Sequence, residues 1–437
     1  MTCAAWLLAT ASCAEIPVET QISEAITTVV TVRWDPGAGD AERAWVRYGT
    51  DRDQMEDEAP AWPSEEGGYE ALVWGLKPNT HYWLEPIAAT GRGEIAAAAT
   101  RIETGPAPTD LPDVERVATD PDAGDDGFLV TTVVFSPPSA VVLDRDGDYV
   151  WWHVLEGDVG TTRAYLSLDR REVILRHNLL DGEPRGLVRV SIDGADVEEI
   201  PLDNEHHDFV ELPGGGFALL AQDVREVDGE EIIGDKIVEL APDGTQTDVW
   251  SAWDHLDVDT ETGSDPQWGF SHANAIDHDP ADDALFVSCR RLNTIFKVDR
   301  GTGDVLWQLG GKDSDFVLPD GGTTFFERQH QFHAWDDGIV VFDNGSFEQM
   351  QSLAVEYSLD PATGDAELVR KYSSDPPLYV YALGDASKLP SGNTLVSYSI
   401  AGQTDIVTPQ GERIWRLKMA LGGALGYATW VDSLYPE

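Results

Sequence analysis

The sequence predicts an all-β protein, a six-bladed β-propeller preceded by a small β-sandwich. Three observations lead there. The 437 residues carry 41 glycines and 25 prolines, a punctuation that favours many short strands over helices. Six segments share one form: alternating apolar residues, a turn with Asp or Pro and a glycine, then a second strand. Their aligned turn glycines, Gly147, Gly194, Gly244, Gly303, Gly364 and Gly411, recur every 47 to 61 residues, the period of a four-stranded propeller blade. One twisted sheet of this size cannot cover both of its faces. Packed radially, each sheet covers its neighbour, and ring closure protects the edges.

Residues 1–15 read as the end of a secretory or lipoprotein signal. The apolar run from Ala4 to Ala11 leads into Thr10-Ala11-Ser12-Cys13, a degenerate lipobox, although the first basic residue is Arg33. The expectation is an exported protein, periplasmic or at the cell surface, with Cys13 as a point of lipid attachment to a membrane. No apolar run is long enough to span a bilayer as a helix. If Cys13 becomes the N-terminus, Cys289 remains as the free thiol and no disulfide framework is available.

Residues 16–105 form one block. Thr27–Trp34 and Ala44–Tyr48 alternate as strands, Leu76-Lys77-Pro78-Asn79-Thr80-His81-Tyr82-Trp83 makes a turn into a strand, and Ile95–Ile102 reads as another. An early buried tryptophan followed by an L-K-P-x-T-x-Y turn resembles a fibronectin type III domain. That resemblance implies a two-sheet sandwich, a spacer or adhesion unit without catalysis. Residues 106–127 follow Gly105 with Pro106-Ala107-Pro108-Thr109-Asp110, are acidic, proline-rich and aperiodic, and read as a linker.

Residues 128–437 hold the repeats: Val141–Trp152, Val188–Ile200, Ile237–Trp250, Ile295–Leu309, Val355–Tyr372 and Asp405–Leu417. A second strand–turn–strand feature accompanies several of them, at His206–Ala221, His272–Cys289, His330–Asn344 and Gly384–Ser399. In a propeller the first strand of each blade lines the channel, so residues at the start of this feature face a common centre.

Charge narrows the functions. With 29 basic and 79 acidic residues the net charge is −50. That excludes a nucleic-acid binder, whose affinity rests on phosphate neutralisation. It also opposes long-range attraction of anionic substrates unless salt screens it. The plain reading is an acidic, solubilising surface.

Five of the ten histidines, His206, His207, His272, His330 and His333, fall at the one repeat position or beside it. Six blades would bring His207, His272 and His330 to one mouth of the channel, and Arg290 ends the strand that returns from His272. Imidazolium donors and an arginine fork suit a tetrahedral oxyanion, while one neutral imidazole attacks. His206 competes with His207, which is preferred beside Asp208; His206 and Arg291 stand as further substrate contacts, and His333 as a packing residue. Trp268 and Phe270 are aromatic residues able to stack on an aryl ring, although core packing explains each of them. Three histidines could instead hold zinc for a hydrolase or lyase, but no H-x-H or H-E-x-x-H spacing occurs and the arginine would repel a cation. Asp144-Arg145-Asp146-Gly147-Asp148 starts like a calcium loop yet has Leu155 where the bidentate Glu belongs, so a blade turn explains it better. A non-catalytic exported propeller that binds a protein or carbohydrate partner is the remaining alternative.

His272-Ala273-Asn274-Ala275-Ile276-Asp277, Val287-Ser288-Cys289-Arg290 and Asp299–Leu309 with Gly310-Gly311 resemble the bacterial arylsulfate sulfotransferases. So do His206-His207-Asp208, Gln329-His330, Phe342-Asp343-Asn344-Gly345 and Leu389-Pro390-Ser391-Gly392-Asn393-Thr394-Leu395, over about residues 125–430. The resemblance implies a six-bladed propeller that moves a sulfuryl group from an aryl sulfate ester to a phenol, without the nucleotide sulfate donor and without a cofactor. It places the transiently sulfated histidine at His330, its supporting histidines at His207 and His272, the active-site arginine at Arg290, and an H-x-N asparagine at Asn274. Some family members have a longer stretch between arginine and nucleophile, and some carry a disulfide that this chain lacks.

Overall fold

The computed structural model describes residues 16–37, 41–117, 125–135, 137–157, 159–179, 184–256, 258, 269–335, 337–420 and 424–436. The signal-like segment with Cys3 and Cys13 lies outside these residues, as does Trp268. The chain is all-β and divides into two compact units, residues 1–107 and 108–437. Among the described residues, no helix is long and apolar enough to cross a membrane.

The first unit has two antiparallel sheets. One orders Val18–Ile22, Val30–Trp34, Tyr69–Val73 and Trp62–Pro63; the other orders Asp57–Pro60, Arg43–Gly49, His81–Thr90 and Gly93–Ala96, with Thr100–Glu103 also on His81–Thr90. Strand Val30–Trp34 buries alternate residues, as a strand with one face on a core must. The expected strand over Ile95–Ile102 is two strands broken at residues 97–99. In the L-K-P turn, the Tyr82 hydroxyl accepts from the Lys77 N–H at 3.0 Å, and Asn79 takes the left-handed conformation that asparagine tolerates.

Among the described residues the second unit contains six antiparallel sheets of four or five strands. Four of them are plain meanders. These run Glu205–Leu212 to Gln246–Ser251, Ala273–Asp279 to Val305–Gly310, Phe332–Trp335 to Asp365–Tyr372, and Asp385–Lys388 to Arg413–Met419. Every repeat segment read from the sequence is the outer hairpin of one sheet, and its turn glycine has a positive φ, from 70° at Gly194 to 90° at Gly147. A side chain there would be strained, which is why glycine marks the period.

Apolar clusters lie between consecutive sheets. Phe209 and Leu219 pack on Ile174 and Leu187, Trp250 on Phe296, Phe286 on Phe332, and Phe342 on Tyr398. Each sheet therefore covers its neighbour, the arrangement of a β-propeller. Both ends of the unit are sewn into it. C-terminal Thr429–Val431 pairs with Phe128–Val133, near the start of the unit. Val114–Arg116 pairs with Arg413–Met419. The stretch expected to be an aperiodic linker, 106–127, thus contributes an edge strand: Val114 also lies where a side chain on Gly147 would project.

Candidate active site

The predicted histidines lie at the starts of the first strands of three consecutive sheets: His206 and His207 within Glu205–Leu212, His272 just before Ala273–Asp279, and His330 two residues before Phe332–Trp335. His207 and His272 both sit in left-handed backbone conformation, with φ of 56° and 49°, and the ladder is irregular beside each of them. Such positions cost about 1–3 kcal/mol for a residue with a side chain and persist where the surroundings enforce them. The result is proximity: the His207 and His272 rings are 5.2 Å apart, and those of His206 and His207 are 5.0 Å apart and edge-on. His330 enters from the next sheet, 4% exposed, and its electrostatic influence reaches both His207 and His272.

Burial favours the neutral form of three of these imidazoles, His207, His272 and His330. Burial, then the Arg290 charge, lowers His330 to about 3, although the Asn344 side chain and the Arg328 carbonyl pull the other way. Burial, Arg290 and His330 lower His272 to about 2. His207 is lowered well below the ordinary range by burial and by its neighbours His206, His272 and Arg176. The surroundings therefore oppose imidazolium donors at His207, His272 and His330, and arginine is the favoured fixed positive charge. Desolvation of a cation next to guanidinium groups is the reason.

Arg290 follows strand Ala284–Cys289 and opens a single 3-10 turn. Its N–H donates to the His272 carbonyl at 2.9 Å, and its Nη2 donates to the Tyr381 carbonyl at 3.1 Å. Arg291 lies in the same turn and contributes least to the His272 shift.

Asn274, read as a substrate-binding residue, and His206, a further substrate contact, make contacts within the protein. Asn274 is fully buried; its Nδ2 donates to the Gln329 carbonyl at 2.8 Å and its Oδ1 accepts from Ser288 at 3.0 Å. It holds the residue before His330. His206 is 3% exposed, its Nδ1 is 2.9 Å from Nδ1 of His207, and its Nε2 is 3.1 Å from Asp235 without hydrogen-bond alignment. Asp235 in turn accepts from Ser271 and from the Ala273 N–H, both at 2.6 Å. His206 thus stands behind His207. Phe270 is core, edge-on to Trp253 at 5.0 Å, and Cys289 is a buried thiol pushed well up by desolvation and Asp235. His333 accepts from the Lys388 N–H at 3.0 Å, a local packing contact.

Sequence reasoning assigned no role to four residues, of which Asn344 entered only as part of the Phe342–Gly345 motif. Asn344 contacts His330 Nδ1 through its Oδ1 at 2.6 Å. Arg176 is buried beside His207, with Nε on Glu205 at 2.8 Å and Nη1 on Asn178 at 3.1 Å. Tyr427 donates to the Asn274 carbonyl at 3.2 Å and has its ring 6.5 Å from that of His330. Arg163 stacks on Tyr165 at 3.9 Å and lies between Asp208 (3.2 Å) and Asp385 (3.3 Å). The Asp208 contact lacks hydrogen-bond alignment, so its attraction is coulombic. Asp208 also accepts from Gln331 and from the Ile276 N–H, tying three sheets together. Burial raises Asp277 to about 6 and Asp385 to about 7. Both line a cavity of about 220 Å³ with Arg163, Gln331 and Lys388. A periodic pattern flagged the histidines; none of these other residues repeats.

Among the described residues, the group of three side chains with metal-ligand spacing is Asp144, Asp146 and Asp148, at a blade turn where Asp144 caps the N–H groups of residues 146 and 148. The histidines do not form such a group.

This β-propeller thus brings His206, His207, His272 and His330 to the starts of first strands in three consecutive sheets, with Arg290 at the end of the strand that returns from His272. The arylsulfotransferase (ASST) family matches residues 113–417, and the chain belongs to that family. It is accordingly a sulfotransferase enzyme, of a family whose substrates are small aryl sulfates and phenols. No curated protein matches the chain. Similar solved structures include a Bacteroides caccae protein of unknown function (12% identity, TM-score 0.45, 71% of this chain and 100% of that one). They also include the periplasmic gluconolactonase of Pseudomonas aeruginosa (13%, 0.43, 70% and 99%) and a virginiamycin B lyase from Staphylococcus aureus (12%, 0.39, 73% and 96%).

Proposed function

We propose that this protein transfers a sulfuryl group from an aryl sulfate ester to a phenol through a sulfo-histidine at His330, without a nucleotide sulfate donor. The supporting observation is that His207 and His272 stand ring to ring from adjacent sheets, with buried His330 of the next sheet and half-buried Arg290 close enough to push the His272 imidazole toward its neutral form. In the first step His330 attacks sulfur in line, the bond from sulfur to the aryl oxygen breaks, and a phenolate leaves with the electron pair. In the second, the acceptor oxygen attacks the sulfo-histidine and the nitrogen–sulfur bond breaks. His207 takes the acceptor's proton and gives it up to water, from which the released phenolate is protonated, so the ring is neutral again for the next turnover. Arg290 and His272 donate to the sulfuryl oxygens and offset the charge of both transition states.

The same reading makes the six sheets six blades, and the first unit a fibronectin type III-like sandwich that stands apart from the chemistry. Export, with Cys13 as a lipid anchor, belongs to it as well; a natively expressed protein recovered only in the cytosol would refute that part. The test of the chemistry is incubation with an aryl sulfate and a phenol, followed by phenol release and peptide mass spectrometry. Turnover with a sulfonated His330 peptide is expected. Absence of both turnover and adduct would overturn the proposal and favour a non-catalytic binding propeller.

A further inference from the structure

We propose that Asn344 is a positioning residue that holds His330 as its Nδ1–H tautomer, so that the Nε2 lone pair is the atom presented for attack. The attack itself rests on the sulfotransfer reading above; the tautomer does not.

The argument starts from the amide. Asn344 directly follows strand Gly338–Asp343 and is fully buried. Its Nδ2 lies 2.9 Å from the Val380 carbonyl and 2.9 Å from the Leu383 carbonyl. Carbonyl oxygens only accept, so the nitrogen of the amide must face them. Turning the amide over would set its oxygen against two others in a buried place, at a cost of about 1–3 kcal/mol for each group left unsatisfied. The Asn344 Oδ1 is thereby fixed on His330 Nδ1 at 2.6 Å, and it too can only accept. The ring nitrogen facing it must carry the proton. In neutral imidazole the other nitrogen, Nε2, then holds the lone pair.

The amide cannot drift. The Ser352 hydroxyl accepts from the Val380 N–H at 3.0 Å and lies 2.9 Å from the Asn344 carbonyl, so both sides of the amide's seat are stapled. The His330 N–H donates to the Phe342 carbonyl at 3.1 Å, which ties the ring's own backbone to the strand that carries Asn344. The same short loop supplies the Tyr381 carbonyl to Arg290. One segment, residues 380–383, thus sets the proton position of the nucleophile and the place of the anion-binding arginine.

In the step this serves, the Nε2 lone pair forms the bond to sulfur as the aryl oxygen departs with its pair. Nδ1 keeps its proton throughout, so the ring carries a positive charge in the intermediate, and the Asn344 Oδ1 faces that charge. When the acceptor oxygen displaces the ring, the pair returns to Nε2 and the resting tautomer is restored without any proton transfer at His330.

The tautomer is measured on the resting full-length protein, labelled with ¹⁵N-histidine, by long-range proton–nitrogen correlation, with His330 assigned by its loss in His330→Gln. Nδ1 protonated and Nε2 unprotonated is expected. Nε2 protonated overturns the proposal whatever the activity. In Asn344→Ala the His330 signal is expected to move toward a mixture of tautomers, with kcat lowered about 10–100-fold and KM for the donor little changed, because Asn344 does not touch substrate. An Asn344→Ala protein with an unchanged His330 tautomer also overturns it. If the tautomer results hold and neither turnover nor a sulfonated His330 is found, the role of Asn344 stands and the sulfotransfer reading falls.

Discussion

Replacing Arg290 by methionine keeps most of the side-chain length and removes the charge that faces His330 and His272. Two changes are expected, and they are separable. The first is in rate. Arg290 is assigned to the sulfuryl oxygens, and one preorganised donor to a developing oxyanion is worth about 2.7–4 kcal/mol, so kcat/KM for an aryl sulfate should fall roughly 10²–10³-fold. The second is in pH dependence. His330 is lowered to about 3, by burial first and Arg290 second. Against an ordinary value near 6.5 this is about 5 kcal/mol in favour of the neutral ring. The attacking ring must be neutral, so wild-type kcat/KM should hold level well below pH 6.5 and bend only toward the His330 value.

Without Arg290 the cationic ring is less disfavoured, and the bend should move up. It should stay below 6.5, because burial remains the larger cause. The assay is phenol release in a stopped format, quenched into alkali, with kcat/KM taken from about pH 3 to about pH 9. A wild-type bend near 6.5, or a variant whose bend stays where the wild-type bend is, would refute this account of the site.

Arg163→Leu should destabilise the protein by about 3–5 kcal/mol, since it leaves Asp208 and Asp385 buried without their cation; thermal unfolding measures it. Asn274→Ala removes two buried hydrogen bonds and orphans the Gln329 carbonyl, for about 2 kcal/mol of stability, and should lower turnover through His330 rather than through substrate affinity. Acid should weaken the wild-type fold only gently. His207, His272 and His330 have folded values below the unfolded 6.5, so their contribution is complete above pH 6.5 and is lost as pH falls toward 3 and 2. Asp208, Asp277 and Asp385 have raised folded values, so they add stability as pH falls through about 7 and 6 toward 4, and oppose that loss. Asp385→Asn removes part of the opposition, and chemical denaturation at pH 7 and pH 5 should show a steeper decline than in wild type; an equal or shallower decline would contradict the assignment.

What was legible in the sequence was what repeats. A left-handed turn glycine recurs in every outer hairpin because each hairpin needs the same backbone geometry. Histidine recurs at the head of three first strands because three sheets present the same edge to one centre. What was not legible came from single events at long range. Asp208 reaches Gln331 across 123 residues, and Thr131 donates to the Tyr427 carbonyl across 296. Val114–Arg116 has no alternation to announce it; its pairing depends on an edge that exists only once the last sheet is in place. The preference of His207, His272 and His330 for the neutral form was not legible for a related reason. Residue type and spacing bring imidazoles together, but burial decides whether they ionise, and burial is a property of the assembled ring.

The acidic surface makes a last prediction that separates approach from chemistry. At −50 the protein repels an anionic aryl sulfate at long range, while Arg290, Arg291 and Arg176 attract it at short range. The Debye length falls from about 30 Å at 0.01 M salt to about 8 Å at 0.15 M. Salt should therefore screen the distant surface carboxylates more than the arginines a few ångströms from the bound anion. At limiting donor, kcat/KM for an aryl sulfate should rise with salt over this range, while the dependence on a neutral phenol acceptor, measured at saturating donor, should stay nearly flat. A fall with salt for the donor would mean that the site's cations, and not the net charge, govern the encounter. In that case the acidic surface would be arranged away from the channel mouth, and the long-range penalty inferred from composition would not apply.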